Sequence, residues 1–126
     1  MTQEEKQLLL KDLCGRLPYF VEAQVVNTIE GESKPLTISK ELTFSDVESF
    51  ANCGVVCNIK PYLRPMSSMT EEEKEEYRNE CNKVLSMPFK VNGPYPIVDW
   101  LNAHHFDHRG LIPMGLALEA PEDMYK

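Results

Sequence analysis

The chain has 126 residues, 42% apolar and 26% charged. That is the balance of one globular domain, which at this size buries about two thirds of its unfolded surface without metal or disulfide staples. Thirteen basic against twenty acidic side chains leave a net charge of −7, which argues against a duplex-binding surface, since phosphates demand concentrated positive charge, and suits a soluble cytosolic protein or one whose partner is basic.

Thr2-Gln3-Glu4-Glu5 is a capping-box pattern, with the Thr2 hydroxyl placed to accept from the Glu5 amide. Leu9, Leu10, Leu13, Cys14 and Leu17 follow at near-helical spacing, and Gly15 and Pro18 stop a helix predicted over 3–15. Glutamates stand there where a secretory leader carries lysines, and no apolar run approaches the ~18 residues of a membrane span. The expected location is therefore the cytoplasm, with no membrane partner and with Cys14, Cys53, Cys57 and Cys81 as reduced thiols behaving as small buried hydrophobes.

Tyr19–Thr28 alternates, with Tyr19, Val21, Ala23 and Val25 on one face, and predicts a strand. Glu30 to Pro35 is turn chemistry, after which Leu36 and Ile38 oppose Thr37 and Ser39; the two strands read as a hairpin. Ser45-Asp46-Val47-Glu48 repeats the capping-box pattern before Val47, Phe50 and Ala51, so a short helix ended by Gly54 precedes a strand over Val55–Ile59. Lys60–Thr70, stiffened by Pro61 and Pro65, reads as a rigid connector pinned to the core by Tyr62 and Leu63.

Thr70 followed by Glu71, Glu72 and Glu73 is the clearest helix start, with Tyr77, Cys81, Val84 and Leu85 as its apolar stripe and Leu85 near its end. The charges of the opposite face read as a solvated surface. Asn92-Gly93-Pro94 marks a turn, and Pro96 opens a helix predicted over 96–107 with Ile97, Trp100, Leu101 and His104 on one face. Leu116 and Leu118 alternate as in a short strand. These elements compose a single α+β domain over 1–126: a small antiparallel sheet of three or four strands packed by about three helices.

The stretch WLNAHHFDHRGLI holds the densest chemistry. On a continuous helix His104 and His108 would share a face at the spacing zinc helices use, with Asp107 as a third ligand. Against that, His105 stands where a hydrolytic zinc helix carries its glutamate, His104 belongs to the apolar face of Trp100 and Leu101, and Gly110 ends the helix near Asp107. The preferred reading places His104 in the interior, leaves His105 and His108 exposed or partly so, and joins Asp107 to Arg109 in a local polar contact. Cys53 and Cys57 lack zinc-knuckle spacing, and Gly110 and Gly115 are too isolated to cradle a phosphate, so neither a resident metal nor a cofactor is expected.

KPYLRPMSSMTEEEKEEY (Lys60–Tyr77) and DWLNAHHFDHRGLIPMGLALEAP (Asp99–Pro121) resemble small uncharacterised proteins encoded in prophage-like and other mobile regions of gut anaerobic bacteria. The resemblance covers about a third of the chain and brings no catalytic residues with it. It implies an accessory protein that acts on host or phage machinery by binding. The expected function is accordingly noncatalytic, with a protein partner and no nucleic acid. The expected contacts are Tyr62, Arg64, Trp100, His105, Asp107 and Arg109, because aromatic and arginine side chains on fixed loops make good anchors; Trp100 and Tyr62 also suit the core. Two other classes compete: a metal-assisted hydrolase using His104 and His108, and, ranked last, an acidic nucleic-acid mimic, which needs carboxylates in paired rows on one surface whereas here they cluster mainly in residues 71–80. The apolar tail Arg109–Tyr125 either returns to the core, which is preferred, or meets a partner.

Overall fold

A computed structural model describes residues 1–28, 30–31, 33–85 and 96–125. Helix α1 spans Gln3–Arg16 and starts as the sequence predicts, with the Thr2 hydroxyl accepting from the Glu5 amide at 3.0 Å. It does not stop at Gly15. A Cβ there would stand 3.1 Å from the side-chain amide of Asn102, which donates to the Gly15 carbonyl; the glycine admits a neighbouring helix instead of ending its own. A 3-10 turn over Leu17–Tyr19 follows, and Phe20 reverses the chain at φ 57°. The strand predicted from Tyr19 therefore starts only at Glu22.

Strands β1 (Glu22–Asn27) and β2 (Leu36–Glu41) pair antiparallel, as the hairpin pattern requires. Helix α2 (Phe44–Ala51) is capped by Thr43, two residues before the expected Ser45, in a full capping box with Asp46. It leads to β3 (Val56–Leu63), so a strand follows the short helix as predicted, and it runs on past Ile59. The same strand corrects the connector reading: Lys60–Leu63 lies in the sheet. Helix α3 covers Glu71–Leu85 as predicted, α4 runs over Pro96–Ala103, and β4 is the two-residue Leu118–Glu119. The turn assigned to Asn92-Gly93-Pro94 lies outside the described residues.

The fold is α+β, and its four-stranded sheet has the order β2-β1-β3-β4. Only its last strand departs from the antiparallel expectation: β4 joins β3 in parallel, Tyr62 beside Leu118. The ladder's phase explains how Pro61 sits inside β3. The Leu42 amide donates to the Val21 carbonyl at 2.9 Å, so odd-numbered β1 residues direct their backbone groups toward β2 and even-numbered ones toward β3. Pro61 stands opposite Ala23; its missing N–H would have pointed away from β1, so no bond to β1 is lost.

The buried face carries Val21, Ala23, Val25, Ile59 and Leu63, packed under Leu9 and Leu13 of α1 and Val47 and Phe50 of α2. The tail returns to this core through Leu111, Leu116 and Ala117, all 5% exposed or less. A smaller cluster of Met69, Leu101 and Phe106, with Tyr77, Ile97 and Trp100 half-buried around it, joins α3 to α4. The cysteines are free but not the buried hydrophobes expected: Cys14, Cys53 and Cys57 are exposed and Cys81 half-buried. Cys57 is the extra residue of a bulge, since Val26 faces Asn58 and Asn27 faces Val56. Among the described residues, no helix is long and apolar enough to cross a membrane.

Candidate functional site

Helix α4 ends four residues before its predicted terminus, and its ending shapes the histidine segment. The His105 amide donates to the Asn102 carbonyl and the Phe106 amide to the Leu101 carbonyl. Phe106 packs on Leu101 in the smaller cluster. These are the two bonds and the apolar contact of a Schellman motif, and His105 occupies its left-handed position at φ 63°, where glycine is usual. Beyond it the chain runs alongside β3: the Arg64 amide donates to the His105 carbonyl at 2.7 Å and the Asp107 amide to the Arg64 carbonyl at 2.8 Å.

The reversal sends the three imidazoles to different neighbours. His104 stacks on Trp100 with ring centroids 4.1 Å apart, and its Nδ1 lies 2.9 Å from the Trp100 carbonyl. His105 stacks on Tyr125 at 3.7 Å. Burial, then the Arg16 charge, pushes its pKa down to about 4. His108 places Nε2 at 2.8 Å from the Asn102 side-chain oxygen, and the same two causes, in the same order, bring it to about 4 as well. His105 and His108 are partly exposed, as expected, whereas His104, expected in the interior, is likewise only half-buried. His108 is off the helix, so the i, i+4 geometry with His104 does not form. Among the described residues, no group of three or more histidine, cysteine or acidic side chains is arranged to hold a metal ion.

Asp107 does not pair with Arg109. Its carboxylate accepts from the Leu111 and Ile112 amides at 2.7 and 2.9 Å and so ties the tail into the core. Arg109 turns instead to Asp12, 3.7 Å away. Asp12 and Arg16 were not singled out from the sequence, yet they are the charged centre of this region. Their ion pair at 2.7 Å is fully buried, and Arg16 also donates to the Phe106 carbonyl at 2.7 Å. A signal was present, because residues 9, 12, 13 and 16 form one helical face and two of the four are charged.

Of the remaining expected contacts, Arg64 borders a cleft of about 860 Å³ between the start of α3 and the segment after β4. Arg64 meets both oxygens of Glu73, at 2.7 and 2.8 Å, and lies over the Phe106 ring. Glu73 also closes the α3 capping box, accepting from the Thr70 amide at 3.0 Å. The Arg64 hydrogen bonds, helped by those from Thr70, hold its pKa at about 2 despite burial. Glu72, Glu119 and Glu122 add three more carboxylates to the cleft wall, and Tyr125 lines its inner side. The Tyr125 hydroxyl donates to the Tyr62 carbonyl at 2.7 Å and accepts from the Glu22 amide at 3.0 Å, and burial raises its pKa to about 12. Arg64 thus lies in the cleft wall, Tyr62 joins it through its backbone, and His105 through the Tyr125 stack. Trp100, half-buried in the α3–α4 cluster, and Arg109 are not part of it.

Comparison with protein-family models, with curated proteins and with solved structures finds no match, so the chemistry of the cleft is read from its own residues. It offers one arginine whose charge Glu73 balances, three further carboxylates and an un-ionised phenol. That set can bind cationic groups and hydrogen-bond an extended backbone.

Proposed function

We propose that this chain is a small noncatalytic accessory protein that acts in the cytoplasm by binding a basic segment of a protein partner, with the cleft bounded by Arg64, Glu72, Glu119 and Glu122 as its contact. The observation that carries this reading is the charge of the cleft: the Arg64–Glu73 pair is internally balanced, so the remaining carboxylates set a negative wall, in keeping with the net charge of −7. The likeness of Lys60–Tyr77 and Asp99–Pro121 to proteins of prophage-like regions supports an accessory role in a mobile-element setting. The histidines support it too, because each is engaged with an aromatic ring or an amide instead of flanking the cleft as an acid–base pair.

The test is affinity capture from a native lysate with untagged protein coupled to a matrix, compared with the Glu119→Lys/Glu122→Lys variant. Specific partners should elute with salt and be lost in the variant. Capture that is indifferent to both changes refutes the cleft. A rise in melting temperature with zinc, abolished by His104→Ala and His108→Ala, would favour the hydrolase instead.

A further inference from the structure

We infer that the outer edge of β2 is a second docking element, built to accept an extended basic segment of the partner as a fifth strand of the sheet. The inference rests on the reading that this chain works by binding a basic partner, and it names a mode of binding away from the cleft. The ladder phase defines the edge. Val21 stands opposite Leu42 and bonds to it, so Lys40, Ile38 and Leu36, opposite Ala23, Val25 and Asn27, turn their backbone groups toward β1. Thr37, Ser39 and Glu41 therefore turn theirs outward, and β2 is the end strand of the sheet among the described residues.

Three features fit an added strand better than solvent. The edge is as long as β1, six residues, with its proline, Pro35, ahead of it instead of within it; sheets that protect an edge shorten, bulge or interrupt it. Leu36 and Ile38 are 46% and 38% exposed although they lie on the face whose β1 and β3 residues, Val25 and Ile59, are sealed under the helices. That shelf suits the apolar side chains of a fifth strand. On the opposite face Glu41 stands directly across from Glu22, a like-charge pair that destabilises the ladder and that a lysine or arginine on the next strand would relieve. Lys40, which could repel such a segment, is held by Asp46 at 3.0 Å. A second copy of this chain would bring its own Glu41 and net negative charge to the contact, so charge complementarity selects a basic partner.

The experiment follows amide hydrogen exchange by NMR on the isotope-labelled full chain with a synthetic peptide of alternating lysine and valine, and with its glutamate–valine counterpart. The lysine peptide should slow exchange of the Thr37, Ser39 and Glu41 amides by about tenfold or more and leave those of Ile38 and Lys40 unchanged, since the latter already bond to β1. The glutamate peptide should bind about tenfold more weakly. Ser39→Pro removes the outward N–H together with the hydrogen bond between the Ser39 and Tyr62 hydroxyls at 3.1 Å; measured against Ser39→Ala, which removes that hydroxyl bond alone, it should weaken the lysine peptide by about tenfold. Equal affinity of Ser39→Pro and Ser39→Ala, or protection that ignores the alternation, overturns the inference. So does protection of the three amides by raising protein concentration without peptide, which would assign the edge to a second copy. Perturbation confined to Glu119–Glu122 sinks the edge and keeps the cleft; no binding at either place sinks both.

Discussion

Replacing Arg16 with methionine tests the charged centre. Arg16 and Asp12 have no exposed side-chain surface, so solvent does not screen the loss. Arg16→Met leaves the buried Asp12 carboxylate with only the longer contact to Arg109, 3.7 Å away, a loss for which about 3–5 kcal/mol is the usual destabilisation, and it removes a donor to the Phe106 carbonyl. At roughly 4 °C per kcal/mol for a chain of this length, the melting temperature should fall by about 12–20 °C. Asp12→Leu/Arg16→Met takes both charges out and should return stability to within about 1 kcal/mol of the parent, because a buried pair does little better than a well-packed apolar one. Urea unfolding followed by the fluorescence of the only tryptophan, Trp100, reads both; that ring stacks on Phe106, whose carbonyl Arg16 holds. The double variant should also raise the His105 pKa from about 4, since the Arg16 charge helps depress it, while burial, the larger cause, keeps it below 6.5. A single variant that loses less than about 1 kcal/mol, or a double variant as unstable as the single, would refute the buried-charge argument.

Stability should respond to acid in two windows. His105 and His108 are held near 4 in the folded chain against 6.5 when unfolded, so from pH 6.5 downward the unfolded chain binds protons the folded one refuses. Stability should fall over that window, and His108→Gln should flatten part of the slope in urea titrations at stepped pH. Glu73, at about 2 against 4.5, gives stability that is complete above pH 4.5 and lost as pH falls through 2; Glu73→Gln should remove that lower dependence alone and cost about 1–3 kcal/mol at pH 7. Tyr125→Phe keeps the ring against His105 but deletes the bonds to Tyr62 and Glu22. It should cost about 1–2 kcal/mol and speed proteolysis of the tail.

What the sequence displayed was whatever its local chemistry settles alone. Thr70 and three glutamates define the start of α3 because cap, box and dipole act within one turn. Val21, Ala23 and Val25 declare a buried strand face by alternation, and the fold needs nothing distant to honour it. The errors share a different origin. Gly15 looks like a stop and is a point of close approach, decided by Asn102 from far along the chain. Cys57 looks like a strand hydrophobe and is thrown outward by a bulge. Parallel β4 could not be foreseen, since two residues carry no periodicity and their direction depends on where the tail is tied, by the amides that Asp107 accepts.

The histidine segment shows the same competition at closest quarters. Its residue types suggest metal chemistry only if one helix continues through His108. Whether it continues is decided by Leu101 and Phe106 packing together, by the Schellman bonds, and by the backbone of Arg64 pairing with Phe106. A left-handed His105 costs on the order of 1 kcal/mol, and it persists because the Tyr125 stack and the β3 contact both require the reversal. If that balance governs the site, His105→Gly should leave the backbone turn intact while loosening Tyr125. His105→Ala, which keeps the strain and loses the stack, should be the less stable of the two in the same urea assay. The opposite order would mean that relief of the left-handed strain does not govern the segment, being outweighed by the freedom glycine adds to the unfolded chain.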